Sequence, residues 1–279
     1  MRRVDPKIYT KDYYLTDCTG HQEFKYTLGE LLEPRFKEIV PYLKIHKNLK
    51  ILDIGCGRGE LVYYCAKLGG KSYGIDYAKD AIQLANLLKE KKDASIKKRM
   101  SFIQMDAKKL LFPSSFFSTV ILTDVVEHLY EEELELVFKE IKRVLRPQGS
   151  LIIHTAPNRL FNDYIYKYYC YPMSTLIVNL WNNFSRNKYP NIAMPSKLRA
   201  DSHSKMHINE PTYYSLYKLF QKYNFKGFIK STNITVRKER QSMKDLLFNL
   251  IVFLDPLSRL FPLNIWFGSD FFSVLKNTK

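Results

Sequence analysis

The feature that most constrains the fold is a short apolar strand that leads into three glycines at alternate positions, ILDIGCGRGE over residues 51–60. A strand that must turn sharply into a helix needs backbone angles that residues with a Cβ reach only at a cost, and Gly55, Gly57 and Gly59 supply them. Without side chains, the loop backbone can also approach a bound small molecule closely. We therefore expect a strand, loop and helix that hold a ligand at the loop.

An acidic residue ends the next predicted strand, SYGID over residues 72–76. Asp76 follows Asp53 at roughly the 20-residue spacing at which a carboxylate meets a ribose hydroxyl in nucleotide-binding βαβ units. Glu60 stands where the dinucleotide pattern G-x-G-x-x-G requires its third glycine, and a carboxylate sits poorly beside a phosphate. The pattern favours a nucleoside without phosphates, and a tight turn that binds no ligand is the alternative.

The same residues resemble motif I of class I S-adenosylmethionine (SAM) methyltransferases, Asp/Glu-x-Gly-x-Gly-x-Gly, with Asp53 in its acidic position. The resemblance implies that SAM is the cofactor, that Asp76 holds the ribose hydroxyls, and that Asp106 accepts a hydrogen bond from the adenine amino group. The cofactor-binding residues expected on this basis are Asp53, Gly55, Cys56, Gly57, Asp76, Tyr77, Met105, Asp106, Ala107 and Thr123.

Apolar strands and amphipathic helices alternate after residue 49, which is typical of a doubly wound parallel sheet that binds ligands at the strands' carboxyl ends. We expect strands over 49–54, 72–75, 101–105, 117–122, 150–155, 225–231 and 268–275, and helices over 61–68, 80–89, 131–144 and 211–223. The resemblance implies that the last strand is antiparallel. The predicted fold is therefore α/β, a Rossmann-like seven-stranded doubly wound sheet, mostly parallel, with a helical and aromatic cap insertion.

We divide the chain into four parts on this basis. They are an N-terminal arm and helix (1–45), a SAM-binding core (46–158), an aromatic-rich insertion expected to cap the pocket (159–204), and a C-terminal part that completes the sheet (205–279). An extension that only packs on the body is the alternative for the insertion.

The N-terminal part has two notable features. Tyr9, Tyr13 and Tyr14 are expected to lie over the mouth of the cofactor pocket. The apolar spacing over residues 21–43 predicts an amphipathic helix bent at Pro34. We expect Arg35 on this helix at the surface, with a ligand carboxylate as the alternative partner.

The net charge of +16 implies attraction to polyanions, which include nucleic acid and anionic membrane surfaces. The four cysteines show neither metal-ligand spacing nor a disulfide framework, and the first residues show no apolar signal segment, so we expect a cytoplasmic protein. The apolar stretch 246–254 is too short to cross a bilayer. We expect peripheral membrane contact through 246–267, and the lining of an apolar substrate tunnel is the alternative.

A second group of residues follows the fourth strand, in TDVVEHL over residues 123–129. Asp124, Glu127 and His128 fall within one helical turn, and His207 precedes the last predicted helix. Two carboxylates with one or two imidazoles suit a divalent metal such as Mg²⁺. The alternatives are that His128, aided by Glu127, acts as a metal-free general base, or that the group is purely structural.

This group resembles a branch of the class I enzymes that contains the ubiquinone-biosynthesis O-methyltransferases and the small-RNA 3′-terminal 2′-O-methyltransferases. These carry Glu-x-x-Glu-His after strand four, and Asp124 replaces the first Glu here. We expect a SAM-dependent methyltransferase (EC 2.1.1) that acts on a hydroxyl of a small molecule, a lipid-linked intermediate or a sugar. RNA 2′-O-methylation and a non-catalytic SAM-binding role are the alternatives.

Overall fold

The structure is a computed structural model and describes residues 4–198, 206–232 and 242–278. Its centre is a seven-stranded sheet with the strand order β3-β2-β1-β4-β5-β7-β6. The strands are β1 (Lys50–Ile54), β2 (Lys71–Asp76), β3 (Met100–Gln104), β4 (Phe117–Thr123), β5 (Leu145–Thr155), β6 (Phe225–Thr232) and β7 (Asp270–Asn277). Strands β1 to β5 pair in parallel, and β7 runs antiparallel to both β5 and β6. The predicted fold class is confirmed.

Helices flank the sheet and follow the strands in alternation. They are α1 (Lys11–Thr16), α2 (His21–Thr27), α3 (Pro34–Ile39), α4 (Glu60–Lys67), α5 (Lys79–Glu90), α6 (Ala94–Lys97), α7 (Glu131–Val144), α8 (Tyr171–Phe184), α9 (Tyr213–Lys222) and α10 (Met243–Phe253). A π-helical segment, Phe161–Cys170, leads into α8. The four predicted helices correspond to α4, α5, α7 and α9. None of the helices in the described part of the chain has the length and apolarity needed to cross a bilayer.

The central strands are buried on both faces, as parallel strands covered by helices must be. On one face, Leu52 and Val120 pack in the cluster that includes Phe138 of α7. On the other face, Ile51 and Ile121 pack in the cluster that includes Leu61 and Cys65 of α4. This two-sided burial fixes the carboxyl ends of β1, β2 and β4 side by side, which is where the site lies.

Two predicted elements differ in the structure. The single bent helix over residues 21–43 is wrong: Leu28 takes a left-handed conformation (φ 47°) that ends α2, and Pro34 begins α3 because its fixed φ suits a first helical position. Strand β5 starts at Leu145, five residues earlier than expected. A register shift between Phe117 and Thr119 lets this extra length pair with β4.

The aromatic-rich insertion packs on the apolar C-terminal segment. Phe161, Tyr166 and Val178 form a buried cluster with Phe248 and Val252 of α10. The expected separation of these two parts at residues 204 and 205 lies outside the described residues. Within the structure, the insertion and α10 share one core.

Candidate functional site

A cavity of about 270 Å³ opens at the carboxyl ends of β1, β2 and β4. All ten residues predicted to bind the cofactor line it, from Asp53 in β1 to Thr123 in β4. Asp124, Glu127, His128 and His207 line the same cavity. The structure therefore gathers both predicted groups into one site, while the role of each residue stays a prediction.

The glycine loop forms the floor of this cavity. Gly55 has a φ of 72°, and a Cβ at this position would collide with the side chain of Val125. The amides of Gly55 and Cys56 donate to the carbonyl of Ile75 at 2.8 and 3.0 Å. These bonds join the loop to the end of β2, so the backbone of the turn stands directly beside Asp76.

Asp76 is fixed by backbone amides rather than by a cation. Its Oδ2 accepts from the Gly57 amide at 3.1 Å, and its Oδ1 accepts from the Ala78 amide at 2.9 Å. Burial raises the pKa of this carboxyl to about 6, although these hydrogen bonds lower it. A carboxylate has about four acceptor sites, so Asp76 can also accept from two hydroxyls of a ligand.

The loop also ties down the N-terminal arm. Arg58, which the sequence analysis did not single out, is buried and pairs with Glu60 at 2.8 Å. Its guanidinium donates to the carbonyls of Tyr14 and Thr19 at 2.7 and 2.8 Å.

Asp53, in the strand that precedes the loop, is also buried. Burial raises the pKa of its carboxyl, and repulsion from Glu60 and Asp76 raises it further.

The arm covers the cavity as predicted, since Tyr9, Tyr13 and Tyr14 all line it. The Tyr9 ring contacts the Tyr77 ring edge-on at a centroid distance of 5.5 Å. In contrast, no described residue of the insertion, over 159–198, lines the cavity. The expectation that the insertion caps the pocket is not met there, because its apolar side chains pack against α10.

Two residues predicted to bind the cofactor, Thr123 and Asp106, differ in whether their side chains already have hydrogen-bond partners. The Thr123 hydroxyl is buried and has no hydrogen-bond partner among the described residues. Asp106 accepts from the Lys108 amide at 2.9 Å and pairs with its ammonium group at 3.1 Å. Lys108 also bonds to Glu133 at 2.6 Å. An unsatisfied buried hydroxyl on a cavity wall is expected where a ligand supplies the partner.

The structure brings Glu127, His128 and His207 together, with one ligand atom from each within 4.8 Å of the others. Glu127 accepts from the Thr155 hydroxyl at 2.8 Å. Burial raises its pKa to about 8, and repulsion by Asp124 adds to the rise. A carboxyl in this state can hold or release a proton near neutral pH.

The backbone assigns the tautomer of His128. Its Nδ1 lies 3.1 Å from the carbonyl oxygen of Met206 and 3.0 Å from the Tyr9 hydroxyl. A carbonyl oxygen only accepts hydrogen bonds, so Nδ1 carries the proton. The lone pair then resides on Nε2, which is the atom suited to accept a proton or to ligate a metal.

Asp124 stands apart from this group. Its carboxylate bonds to the guanidinium of Arg35 and to Nδ1 of His154, the latter at 2.6 Å. Burial opposes ionisation, but Arg35 and His154 hold the pKa of Asp124 below its usual range. The predicted metal-ligand set is therefore only partly assembled, because the charge of Asp124 is already compensated.

Of the two side chains that bond to Asp124, Arg35 was placed wrongly by the sequence prediction and His154 was not predicted. The prediction that Arg35 lies at the surface is wrong, since its side chain is 12% exposed and bonds to both Glu33 and Asp124. His154 is fully buried in β5, and its Nε2 bonds to Asp270 of β7 at 3.2 Å. A histidine inside an apolar strand was the available sign that a buried polar partner exists.

Comparison with known proteins agrees with this geometry. A family model described as a methyltransferase domain matches residues 52–153. The chain is 30% identical over 137 residues to a sterol 4-C-methyltransferase of Caenorhabditis elegans. The aligned segment covers 49% of this chain and 39% of that protein. It is 34% identical over 109 residues to a ubiquinone biosynthesis O-methyltransferase of Bartonella quintana. That alignment covers 39% of this chain and 42% of the relative. The matched segments span about two fifths of each relative.

A solved structure extends the comparison over more of the fold. The methyltransferase domain of the bacterial protein CtHen1 aligns with a TM-score of 0.53 over 87% of this chain and 97% of its own, at 18% identity. At that identity the likeness concerns the fold alone. Strand order, the glycine loop, the acidic strand ends and the matching family model all agree, and the chain therefore carries a class I SAM-dependent methyltransferase domain.

Proposed function

We propose that this chain transfers the methyl group of SAM to a hydroxyl oxygen of an apolar or lipid-linked acceptor. The observation that carries the proposal is the presence, in one cavity, of the glycine loop with Asp76 and of the pair Glu127 and His128. The first group suits a nucleoside cofactor, and the second can remove a proton from an acceptor.

SAM supplies an activated methyl group on a sulfonium. In the proposed reaction a new O–CH₃ bond forms as the S–CH₃ bond breaks, the electron pair of that bond stays on sulfur, and the acceptor proton leaves. Nε2 of His128 takes that proton, because Nδ1 is committed to Met206. The rest of the chain's contribution is to align the two reactants, which is a large share of catalysis for such displacements.

A divalent metal is an additional element that we propose for testing. One carboxylate and two imidazoles, from Glu127, His128 and His207, fit an ion that accepts nitrogen ligands, such as Mn²⁺, better than they fit Mg²⁺, and these three residues would hold it. The ion would polarise the acceptor hydroxyl. Asp124 is excluded from the set in the observed arrangement, because Arg35 and His154 bind its carboxylate.

Support for an apolar acceptor comes from two of the relatives. The two relatives described above are named for a sterol and for ubiquinone biosynthesis, both of which are apolar molecules. The net charge of +16 instead favours RNA as a second acceptor class. Salt separates them, because affinity for RNA falls steeply as ionic strength rises and affinity for a neutral acceptor hardly changes.

The first test is calorimetric titration of metal-stripped protein with S-adenosylhomocysteine. We expect binding that weakens about two- to tenfold in Asp53→Asn, since one hydrogen bond contributes about 0.5–1.5 kcal/mol. Asp93→Asn is the matched control, because Asp93 is exposed at the start of α6. A well-folded protein that does not bind S-adenosylhomocysteine contradicts the proposal.

The second test concerns the chemistry. His128→Gln should retain S-adenosylhomocysteine binding and lose about 10²–10⁴ of the rate of labelled-methyl transfer to a lipid-soluble quinol or to RNA. Titrations with Mn²⁺ and with Mg²⁺ then decide the metal, since a binding isotherm that is lost in His207→Ala supports it. If wild type and variant both bind S-adenosylhomocysteine and neither transfers the methyl group to any acceptor class, the result favours a non-catalytic SAM-binding protein.

A further inference from the structure

The insertion and α10 expose many apolar side chains on the side away from their shared core. Phe184 at the end of α8 is 92% exposed, and Phe261 after α10 is 77% exposed. Leu247 and Ile251 occupy positions four apart on α10 and are also exposed. Each helix therefore has two apolar faces, one buried and one turned to solvent.

The insertion contacts both α10 and the segment that follows it. The ammonium of Lys244, at the start of α10, lies 4.3 Å from the ring centroid of Trp181 in α8. The Tyr169 hydroxyl donates to the Ile251 carbonyl at 2.7 Å, and its ring contacts Phe267 at 5.6 Å. We use the term apolar face for six exposed side chains that these elements carry: Trp181, Phe184, Leu247, Ile251, Phe261 and Trp266.

The charges around the apolar face are almost all positive. Residues 164–198 contain no Asp or Glu, but they contain Lys167, Arg186, Lys188 and Lys197. The two carboxylates of residues 243–267 are used internally. Asp245 accepts from the Tyr189 hydroxyl at 2.5 Å, and buried Asp255 pairs with Arg259 at 3.1 Å.

We propose that the apolar face binds the surface of an anionic lipid bilayer. Exposed Trp, Phe and Leu side chains bordered by Lys and Arg are the composition of protein surfaces that lie in a membrane interface. Lysine is depleted at protein–protein interfaces, whereas it flanks this face and one lysine stacks on Trp181. The face lies on the membrane and does not cross it. This inference does not depend on the proposed reaction.

The two tryptophans of the chain, Trp181 and Trp266, provide a direct readout because both belong to the apolar face. We expect their fluorescence to shift to shorter wavelength when the full chain is mixed with phosphatidylcholine vesicles that contain phosphatidylglycerol. Vesicles of phosphatidylcholine alone should cause a much smaller shift. Co-sedimentation with the vesicles measures the affinity.

The variants separate apolar from charged contributions. Phe184→Ser combined with Phe261→Ser should weaken binding to anionic vesicles at least tenfold. Tyr26→Ser on α2 is the matched control, because Tyr26 is an exposed aromatic residue (84%) far from the face in sequence, and it should bind as wild type does. Lys188→Gln should lower the affinity roughly fivefold. S-adenosylhomocysteine binding or circular dichroism confirms that each variant is folded.

Three outcomes would overturn the proposal. The first is that folded wild type fails to sediment with anionic vesicles. The second is that the double variant binds them as tightly as wild type, and the third is that Tyr26→Ser loses as much affinity as the double variant. Sedimentation velocity addresses the first outcome further, since self-association that the double variant abolishes would assign the apolar face to an interface between two copies.

Discussion

The imidazole of His154 and the carboxylate of Asp124 are joined at 2.6 Å where the backbone of Asp124 takes a left-handed conformation (φ 52°). A non-glycine residue in this region is uncommon and must be held there by its surroundings. Here three hydrogen bonds do so: those of the Asp124 carboxylate to His154 and to Arg35, and the one that the Asp124 amide donates to the His154 carbonyl. The turn that leads to Glu127 and His128 thus depends on a buried charged cluster.

The stability of this cluster should depend on pH. Although burial lowers the pKa of His154, Asp124 and Asp270 raise it to about 10, above its value of about 6.5 in an unfolded chain. Its stabilisation is complete below about pH 6.5 and is lost as pH rises toward 10. Removing one partner of a buried ion pair costs about 3–5 kcal/mol. Urea unfolding should therefore show the largest loss for His154→Gln near pH 6 and a smaller loss near pH 9.

His46→Gln is the control for this experiment, because His46 is exposed. It should leave the free energy of unfolding unchanged at both pH values. A loss for His154→Gln that is the same at pH 6 and pH 9 would show that His154 acts through packing and not through its charge.

Thr123→Val should separate ligand binding from stability. The substitution keeps the shape of the side chain and removes a buried hydroxyl that lacks a partner. The free protein should be as stable as wild type or more so, while S-adenosylhomocysteine binding weakens by about 0.5–1.5 kcal/mol if the ligand supplies the missing partner. Thermal unfolding and calorimetry measure the two effects. Unchanged affinity would mean that the ligand leaves this hydroxyl unused.

The affinity for S-adenosylhomocysteine should rise with pH between 5 and 7. The pKa of Asp76 is raised to about 6, so below that pH the carboxyl is protonated and loses its charge. If only the ionised form binds the ligand, the apparent affinity rises by up to about tenfold per pH unit below the pKa and levels off above it. Calorimetry at several pH values tests this. Asp76→Asn should bind weakly with little pH dependence, and an equal pH dependence in that variant would assign the titration to another group.

Arg58→Met should loosen the N-terminal arm. It removes the hydrogen bonds to the Tyr14 and Thr19 carbonyls and leaves Glu60 buried without its partner. We expect a loss of about 3–5 kcal/mol in the free energy of unfolding and faster proteolysis within residues 4–20. Adding Glu60→Gln should restore part of the stability without slowing the proteolysis. Recovery of both, or of neither, would contradict the assigned anchoring role.

Periodicity and the glycine pattern predicted most of the sheet, and the resemblance to SAM methyltransferases added the antiparallel last strand and residues that line the cavity, such as Asp106. Periodicity and the glycine pattern depend on local sequence: the strand, Gly55 and Gly57 are contiguous, and Asp76 follows at a fixed spacing in the next strand. The N-terminal arm over the cavity was also predicted correctly from its tyrosines.

The misplaced residues belong to long-range contacts. Arg35 appeared to be a surface residue because its partner Asp124 lies 89 positions away. The bond between His154 and Asp270 spans 116 positions. The insertion was expected to cap the pocket because the sequence did not reveal that α10 would bury its apolar face. Pairing across such separations is decided by the assembled fold, which local patterns do not encode.

The position of β7 also orders the assembly of the sheet. β6 reaches the other strands only through β7, because β7 fills the space between β5 and β6. Forming that pairing closes a long loop, and contacts of large sequence separation form slowly. The strands that carry the glycine loop, Asp76 and Thr123 pair without β7. This half of the sheet can thus fold early, while Asp270, the second carboxylate that bonds to His154, reaches it only when β7 pairs with β5.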